Sequence, residues 1–408
     1  FFFKPKTAYE IYQCDWSSDV CSSDLIFRMR KQLPMFRKGA YASALRLITE
    51  KNPLPFITGT ICAHNCMTKC MRNYYDEPVN IRATKLVAAE KGYDAYMSKI
   101  TPPAPVTDGR KVAVIGGGPT GMSAAYFVGR AGIPVTLFEK ADRLGGIVRQ
   151  VIPAFRISDE AIDKDVALIE KMGVEVKLNT EAPSVAELKA QGYTHIFFAV
   201  GAWKAGRLDI PGNVVPVIGW LRDMKAGKDV SLGHVAVVGG GNTAMDAARA
   251  ALRAGAKSST LVYRRTKKYM PADAEELEMA IADGVEFLEL VAPVEQKDGK
   301  LICEKMKLGD PDDKGRRKPV PTGEMVEIPC DTVVSAVGEK VESEVFTRNG
   351  ITVDEKGIPA FKTNLEGVYA GGDAMRGPAT VVEGIAWSNL CRLISDFCLK
   401  PPMTVFLR

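Results

Sequence analysis

The stretch "KVAVIGGGPTGMSAA", residues 111–125, indicates how this chain folds. A run of apolar residues leads into three glycines at the spacing G-x-G-x-x-G, namely Gly116, Gly118 and Gly121, and small residues typical of a helix follow. In such a unit the first glycine permits a tight turn, the second lets a phosphate approach the backbone, and the third lets helix and strand pack closely. The stretch therefore predicts a dinucleotide-binding domain.

A carboxylate supports this interpretation over a glycine-rich turn that binds nothing. Glu139 ends the next apolar segment, "VTLFEK", about 20 residues beyond the loop, where a carboxylate accepts hydrogen bonds from ribose hydroxyls. Pro119 and Thr120 open the predicted helix, whose positive end attracts phosphate. We therefore expect an adenosine-binding site at residues 116–121.

A second glycine loop repeats the pattern in "HVAVVGGGNTAMDAARAALRAGA", with Gly239, Gly241 and an alanine, Ala244, in the third place. The strand after it ends "LVYRR", so Arg264 and Arg265 stand where the first unit has its carboxylate. A carboxylate would repel a 2′-phosphate, whereas two arginines bind one through charge-assisted hydrogen bonds. This replacement predicts NADP(H), not NAD(H); the alternative is two surface arginines at the start of a loop.

The segment "GVYAGGDAMRGPATVVEGIAWS" near the C-terminus has features that suit FAD. A strand ends at Gly372 and Asp373, where the carboxylate can bind a polyol chain, and a helix is predicted to begin near Ala379. The N-terminus of that helix can stabilise negative charge on a reduced isoalloxazine. The pair Gly145 and Gly146 would likewise let a cofactor pass close to the backbone.

The order of these segments predicts a division into domains. Strands alternating with helices from about residue 108 indicate doubly wound parallel sheets, and the Pro-rich "TPPAPVTDGR" separates them from a helical region. The expected domains are a helical domain at 26–105, a first FAD-domain part at 109–212, an NADPH domain at 213–340 and a second FAD-domain part at 341–400.

Residues 1–25 need a separate explanation. The segments "KTAYEI" and "CDWSSDVCSSDL" resemble the conceptual translation of a sequencing adapter, and they lack the basic start and apolar stretch of a signal peptide. We expect these residues to lie outside the fold, with Cys14 and Cys21 not acting as ligands and the natural chain continuing upstream of Ile26. The alternative is a genuine disordered leader.

Composition excludes several classes of protein. The 408 residues are 46% hydrophobic and 25% charged, as expected of a multidomain enzyme. The net charge of +5 is not concentrated in a basic stripe, so nucleic-acid binding has little support. Apolar runs are too short for a membrane span. The nine cysteines lack the pattern of a disulfide framework, which predicts a reducing compartment, the cytoplasm.

The tight cysteine cluster "ICAHNCMTKC" places Cys62, Cys66 and Cys70 four residues apart. Three thiolates are one short of a closed metal site, so structural or zinc-binding cysteines remain the alternative to an iron–sulfur cluster. The segment after the double glycine, "GGIVRQVIPAF", contains no cysteine, so electrons cannot leave a flavin through an adjacent cysteine pair.

The ordered motifs "NPLPFITGTIC", "GGGPTGMSAA", "FEKADRLGG", "IPAFRI", "GGGNTAMD", "YRRTKKYMPA" and "YAGGDAMRGPATVVEGIA" resemble one protein family. They resemble flavin disulfide reductase-like proteins with two dinucleotide domains, such as the NADPH-dependent glutamate synthase small subunit and the N-terminal half of dihydropyrimidine dehydrogenase. Large iron–sulfur flavoproteins described as selenate reductase subunits look most similar.

This resemblance implies an α/β fold with two Rossmann-like domains, for FAD and NADPH, the second inserted in the first and both preceded by a small α-helical iron–sulfur-type domain. The implied FAD contacts are Gly116 to Gly121, Glu139, Gly145, Gly146, Arg156, Gly372 and Asp373. The implied NADPH contacts are Asn242, Thr243, Ala244, Arg264, Arg265 and Gly338.

The resemblance also implies that the cysteine cluster joins an upstream cysteine group to bind [4Fe-4S]. Two features depart from the family: the C-x3-C-x3-C spacing, and Lys85 at the position of a non-cysteine ligand. A protonated lysine cannot ligate iron.

The predicted activity is hydride transfer from NADPH to FAD, followed by electron delivery through iron–sulfur chemistry to a partner domain or subunit. Stacked rings transfer hydride without an acid–base residue, so no catalytic side chain is expected and His195 and His234 are predicted to be structural. Two alternatives remain: a self-contained FAD reductase that uses a small acceptor, and a non-enzymatic, flavin-stabilised assembly subunit.

Overall fold

The computed structural model describes residues 34–36, 38–68, 70–230, 232–311 and 317–388. The predicted leader at 1–25, together with Cys391 and Cys398, lies outside these ranges. Contacts divide the chain into two compact units. The second unit comprises Gln150–Phe155 and Trp203–Lys340, and the first comprises the rest. The predicted boundary at 212/213 falls inside the second unit.

The first unit begins with a cysteine-bearing helical module. Its helices are α1 Tyr41–Thr49, α2 Pro55–Ile61, α3 Asn65–Thr68 and α4 Ile81–Met97, with a 3₁₀ turn at Met71–Tyr74. Asn80 caps α4 by accepting a hydrogen bond from the amide of Ala83 at 3.0 Å. Gly92 lets α4 approach α1, because a Cβ atom there would lie 2.7 Å from the carbonyl oxygen of Tyr41. Close packing of α1 against α4 therefore forms the centre of the module.

A five-stranded parallel sheet follows in the order β15-β4-β1-β2-β3. Its strands are β1 Val112–Ile115, β2 Val135–Phe138, β3 Glu175–Lys177, β4 His195–Phe198 and β15 Val368–Ala370. The helices of this part are α5 Pro119–Arg130, α6 Ile147–Gln150, α7 Asp159–Glu170, α8 Val185–Ala190, α12 Glu344–Thr347, α13 Asp373–Arg376 and α14 Val381–Ser388. Strand β1 is buried along its whole length, as expected for the centre of a covered parallel sheet. The predicted strand at residues 111–115 is therefore the core of the first unit.

The last strand of this sheet comes from the far end of the sequence. Strand β15 pairs in parallel with β4 through Val368 and Ile196, although the second unit lies between them in the chain. The second unit is therefore an insertion in the first, as predicted.

The second unit has its own five-stranded parallel sheet, in the order β6-β13-β7-β8-β9. Its strands are β6 Val214–Pro216, β7 His234–Val238, β8 Ser258–Tyr263, β9 Glu286–Glu289 and β13 Thr332–Ser335. Its helices are α9 Val217–Lys225, α10 Asn242–Arg253 and α11 Ala274–Ala282, with a 3₁₀ turn at Lys267–Tyr269. Two short strands, β5 Lys204–Ala205 and β14 Glu339–Lys340, pair antiparallel to each other. Among the described helices, none has both the length and the apolar character that crossing a membrane requires.

The sequence did not predict the antiparallel sheet of the second unit. Its strands are β10 Val291–Lys297, β11 Lys300–Pro311 and β12 Arg317–Pro329. One face packs on the core through Leu301, Cys303 and Ile328, while register shifts interrupt the β11–β12 pairing. Such bulges break the regular alternation of apolar and polar residues, so the pattern is hard to recognise in the sequence.

Residues Gln150–Phe155, which come shortly before α7 in the sequence, belong to the second unit. The Phe155 ring lies 4.9 Å from the guanidinium carbon of Arg249 and 4.6 Å from that of Arg253. The ammonium group of Lys225 donates a hydrogen bond to the carbonyl oxygen of Ile152 at 2.6 Å. Cation–π contacts and this hydrogen bond thus hold residues 150–155 on the inserted unit.

Candidate functional site

The first glycine loop connects β1 to α5, and two of its glycines are required by the backbone. Gly116 has a φ of +103°, and a Cβ atom there would lie 2.5 Å from the carbonyl oxygen of Ala199. A Cβ atom at Gly121 would overlap the carbonyl oxygen of Gly116. Gly118 differs, because a Cβ atom added there would have only the Cα of Gly146 within 4 Å, at 3.9 Å. The second glycine therefore leaves open space at the N-terminus of α5, where a diphosphate would fit.

The double glycine at 145–146 packs on this loop. The amide of Gly145 donates to the carbonyl oxygen of Gly117 at 2.8 Å, and a Cβ atom at Gly146 would lie 2.8 Å from the Cα of Gly118. Both residues have positive φ, 125° and 54°. The two glycine segments thus form one backbone-lined cradle, and Arg156, also predicted as a contact, is half-buried in the same unit.

Glu139 follows β2 and lies beside the cradle, 7% exposed. One carboxylate oxygen accepts from the amide of Gly117 at 2.6 Å, and the other accepts from the amide of Ala141 at 2.8 Å. Each oxygen has two lone pairs, so each keeps the capacity to accept a further bond from a ribose hydroxyl.

The C-terminal segment that was predicted to bind FAD packs against helix α5. Thr120, in the first turn of α5, is 9% exposed. A Cβ atom at Gly372, whose φ is +65°, would overlap the Thr120 hydroxyl, and one at Gly384 would lie 2.6 Å from it. The neighbouring Asp373 carboxylate accepts from the amide of Ala379 at 3.1 Å. Residues from both ends of the domain therefore converge at the carboxyl edge of the first sheet.

The second glycine loop has the same division of roles. A Cβ atom at Gly239 would overlap the carbonyl oxygen of Ala336, whereas one at Gly241 would meet no described atom within 4 Å. Ala244, in the third position, is buried in α10. Asn242 is exposed, with its side-chain oxygen accepting from the amide of Asp273 at 3.0 Å, and Thr243 is half-buried. The open space again lies at the N-terminus of a helix.

The two predicted arginines follow β8, next to this loop. Arg264 is exposed, and Arg265 is half-buried with a buried Nε that has no hydrogen-bond partner among the described residues. Burial raises the pKa of Tyr263, and the positive charges of Arg265 and Arg264 oppose that increase. An unpaired buried guanidinium nitrogen next to an open helix N-terminus fits a phosphate group.

A cavity of about 600 Å³ lies at the carboxyl ends of β6 and β13 in the second unit. Leu208, Ile210 and Val214 form part of its wall, and Ser335 contributes a buried hydroxyl without a partner among the described residues. Ser335 pairs with Val238, directly before the second glycine loop, so the cavity and the loop share one edge of the sheet. Ser335 was not predicted from the sequence, because a single serine after an apolar strand is not distinctive.

Gly338, a predicted contact, lies shortly after β13 in the same unit. Its carbonyl oxygen accepts a hydrogen bond from the amide of Gly206 at 2.6 Å. Gly206 also lines the cavity, so Gly338 stands next to the cavity wall.

The histidines lie away from the glycine loops. His195 begins β4 and His234 begins β7, so both stand at the amino edges of their sheets. His195 Nδ1 lies 2.9 Å from the Thr194 hydroxyl, and His234 Nδ1 lies 2.8 Å from the Ser258 hydroxyl. Burial lowers the pKa of His195, and Arg110 lowers it further. These contacts support structural roles.

The three clustered cysteines lie in the helical module. Cys62 directly follows α2 as its C-terminal cap, Cys66 lies in α3 and is 6% exposed, and Cys70 precedes the 3₁₀ turn. Burial raises the pKa of the Cys66 thiol, and neighbouring Cys62 raises it further, while the positive charge of Lys85 lowers it. Lys85 is itself 2% exposed.

Within the described ranges, no group of three or more His, Cys, Asp or Glu residues is arranged to hold a metal ion. The described residues alone therefore do not complete an iron–sulfur site.

Two family models match the chain. The pyridine nucleotide-disulphide oxidoreductase model matches residues 110–386. The model for dihydropyrimidine dehydrogenase domain II, 4Fe-4S cluster, matches residues 10–95, which include part of the segment that we set apart as a leader.

Individual proteins are also similar. The chain is 43% identical to the oxidoreductase YgfK of Escherichia coli (strain K12), over 85% of this chain and 34% of that protein. It is 31% identical to the glutamate synthase [NADPH] small chain of Halomonas elongata, over 91% of this chain and 84% of that protein. The structure of Mycobacterium tuberculosis FprA in complex with NADPH superimposes with a TM-score of 0.58 at 21% identity, covering 70% of this chain and 84% of that chain. The chain thus spans about a third of the length of YgfK.

Proposed function

Because the chain belongs to the pyridine nucleotide-disulphide oxidoreductase family, and is an NAD(P)H-dependent FAD oxidoreductase, we propose that it is the electron-input module of a larger redox enzyme. It takes hydride from NADPH and passes electrons through iron–sulfur chemistry to a partner domain or subunit. The observation that carries this proposal is the contrast between two open glycine cradles, one followed by a carboxylate and the other by two arginines.

The first cradle is proposed to hold FAD. When bound, FAD supplies the chemistry of accepting a hydride and releasing electrons singly. Gly118 leaves room for the diphosphate, and the N-terminus of α5 faces its negative charge. Glu139 accepts hydrogen bonds from the ribose, and Asp373 accepts them from the polyol chain. The chain's own contribution is therefore binding and orientation.

The inserted unit is proposed to hold NADPH. Gly241 leaves room for the diphosphate, and Arg264 and Arg265 bind the 2′-phosphate. The cavity at the ends of β6 and β13, which has both polar and apolar residues in its wall, would accept the nicotinamide half, because ligands of parallel sheets bind at the carboxyl ends of the strands. The buried Ser335 hydroxyl would give that half one polar contact.

The electron acceptor is proposed to be a partner, not a cysteine pair beside the flavin. The segment after Gly146 has no cysteine, and the buried residues there include Val148 and Val151. The glutamate synthase relative is named as a small chain, and YgfK is about three times as long as the matching region. A partner could thus be a separate subunit or a further domain. None of the described cysteines is in a disulfide bond, which supports a reducing compartment such as the cytoplasm.

An anaerobic titration with NADPH tests the proposal on the FAD-loaded full chain. We expect the visible flavin absorbance to bleach with NADPH and to bleach far more slowly with the same concentration of NADH. Electron paramagnetic resonance on the same samples would report any reduced iron–sulfur cluster. Bound FAD that neither nucleotide bleaches would refute the proposed hydride transfer.

A further inference from the structure

One buried carboxylate connects the cysteine-bearing helical module to the rest of the first unit. Asp165 lies on α7 and is fully buried. One of its carboxylate oxygens accepts from the amide of Phe56 at 3.1 Å, and the other accepts from the amide of Ile57 at 2.8 Å. These partners are more than 100 positions away in the sequence, so the contact depends on tertiary structure alone.

The two amides belong to the first turn of α2, which begins at Pro55. First-turn amides have no acceptor within their own helix, and the preceding residue, Leu54, offers no side-chain cap. A carboxylate in this position accepts their hydrogen bonds and faces the positive end of the helix dipole. Burial raises the pKa of Asp165, whereas both amide bonds oppose the shift. Asp165 thus caps a helix that belongs to another part of the unit.

Aromatic and cationic contacts surround this cap. The Lys164 ammonium lies 5.0 Å from the centre of the Phe56 ring and 5.8 Å from that of Tyr93. The Tyr93 hydroxyl donates to the carbonyl oxygen of Lys164 at 3.0 Å, and the Phe56 and Tyr93 rings meet edge to face at 5.4 Å. The neighbouring residues therefore exclude water from the carboxylate.

A second contact joins the helical module to α5. A guanidinium nitrogen of Arg130 donates to the carbonyl oxygen of Thr49 at 3.4 Å, and the Thr49 hydroxyl lies 2.6 Å from the Tyr96 hydroxyl. Tyr126, 1% exposed, bonds to the same threonine. Arg130 is the last residue of α5, and the same helix begins at the first glycine loop, so this second contact joins the module to the helix of the FAD cradle.

The anchored helix also carries a cysteine. Helix α2 ends at Ile61, and Cys62 is its C-terminal cap. At about 1.5 Å per residue, the cysteine end lies roughly 8 Å along the helix from the amides that Asp165 holds. Helix α7 packs against both α2 and α5, so it connects the cysteine-bearing helix to the helix of the cradle.

We propose that Asp165 is a positioning residue that fixes the cysteine-bearing module against the FAD-binding part of the unit. This inference rests on the proposed function, because the module must stay at a defined place to receive electrons from the flavin. A small displacement of a redox partner slows transfer strongly, as misplacement slows other reactions between held groups. Hydride transfer from NADPH to FAD does not involve this contact.

The test compares Asp165→Asn with Glu170→Gln, a matched control at the exposed C-terminal end of α7. The asparagine keeps the shape but replaces one acceptor oxygen with a donor that faces a backbone amide. Hydrogen exchange at the amides of Phe56 and Ile57 should rise at least tenfold in Asp165→Asn and stay unchanged in the control. FAD content and the rate of flavin bleaching by NADPH should remain within twofold of wild type.

A spectroscopic measurement separates positioning from simple stability. On full chains reconstituted with iron and sulfide, the reduced-cluster signal after NADPH addition should appear at least tenfold more slowly in Asp165→Asn. Unchanged amide exchange, or bleaching and cluster reduction that slow equally, would overturn the inference. If wild type itself bleaches without any cluster signal, the proposed electron exit fails, and the exchange data still decide the role of Asp165.

A measurement on the wild-type protein tests the buried cap even if the Asp165→Asn variant does not fold. In wild type, the amides of Phe56 and Ile57 should exchange more slowly than the capped amide of Ala83 in α4, whose acceptor Asn80 lies in an exposed region. Exchange as fast as that of Ala83 would refute the buried cap.

Discussion

The two glycine loops of this chain share a strand–glycine–helix arrangement and differ in the side chains placed beside them. Each loop joins the central strand of a five-stranded parallel sheet to a twelve-residue helix. In the first unit the next strand is followed by Glu139, and in the second by Arg264 and Arg265. One fold thus presents a hydrogen-bond acceptor in one place and positive charge in the other, which suits a ribose and a 2′-phosphate respectively.

Within the loops, some glycines have no room for a side chain, whereas others have open space beside them that a ligand could occupy. At Gly121 a side chain would overlap the backbone of Gly116, whereas at Gly118 and Gly241 there is open space. The motif G-x-G-x-x-G does not show which of its three glycine positions has this open space. Substitutions at the glycines and at the charged residues therefore distinguish the two loops experimentally.

The largest effect is expected at the third loop position. Gly121→Ala should cost more than about 4 kcal/mol of unfolding free energy and abolish FAD binding, because the methyl group overlaps a carbonyl oxygen that cannot move freely. The reciprocal change Ala244→Gly should cost only about 1–2 kcal/mol. Urea unfolding and flavin absorbance measure both, and equal costs would contradict the proposed difference between the loops.

The next effect concerns nucleotide choice. Arg264→Ala combined with Arg265→Ala should lower kcat/KM for NADPH at least roughly 100-fold, since charge-assisted hydrogen bonds contribute about 1.5–3 kcal/mol each. Activity with NADH should change little, and FAD content should be unaffected. Steady-state kinetics with both nucleotides provide the test, and an unaltered preference for NADPH would exclude these arginines as the 2′-phosphate site.

A smaller effect is expected at the second loop positions. Gly118 and Gly241 have φ values of −75° and −95°, which alanine adopts without strain. Gly118→Ala should weaken FAD binding about tenfold and Gly241→Ala should weaken NADPH binding about tenfold, equivalent to about 1.4 kcal/mol. Each variant should keep its unfolding free energy within about 0.5 kcal/mol of wild type. Calorimetric titration that shows unchanged affinities would contradict the cradle assignment.

The smallest effect is a pH dependence confined to the first unit. Because the pKa of His195 is lowered in the folded chain, the unfolded chain binds a proton at a higher pH than the folded chain does. The free energy of unfolding should therefore fall as the pH drops below 6.5. His195→Gln should reduce this loss, while His234→Gln, at the amino end of the central strand of the second sheet, serves as the control. Thermal unfolding across this pH range provides the measurement, and identical profiles for His195→Gln and wild type would argue against the effect.

Some of the candidate site was predictable because the sequence carries it locally. The glycine loops, Glu139 and the two arginines each follow a strand within a few residues, so their placement at the carboxyl edge is fixed by the alternation of strands and helices. The ligand contacts themselves remain predictions. The iron–sulfur assignment needed the family match, because three described cysteines do not complete a site.

The sequence by itself determined the alternation of strands and helices and the two glycine loops, since these depend on local periodicity and turn chemistry. The insertion of one dinucleotide domain in the other was implied by the family resemblance, since it depends on the long-range pairing of β15 with β4. Only the tertiary structure decided how Asp165 caps α2, which glycines leave open space, and how β10 to β12 pair. Asp165 lies on the same helix face as Ile162 and Leu168, an apolar pattern that is consistent with its burial. Its partners are backbone amides, however, and backbone amides are the same at every residue, so no sequence pattern identifies which of them a distant carboxylate will bind.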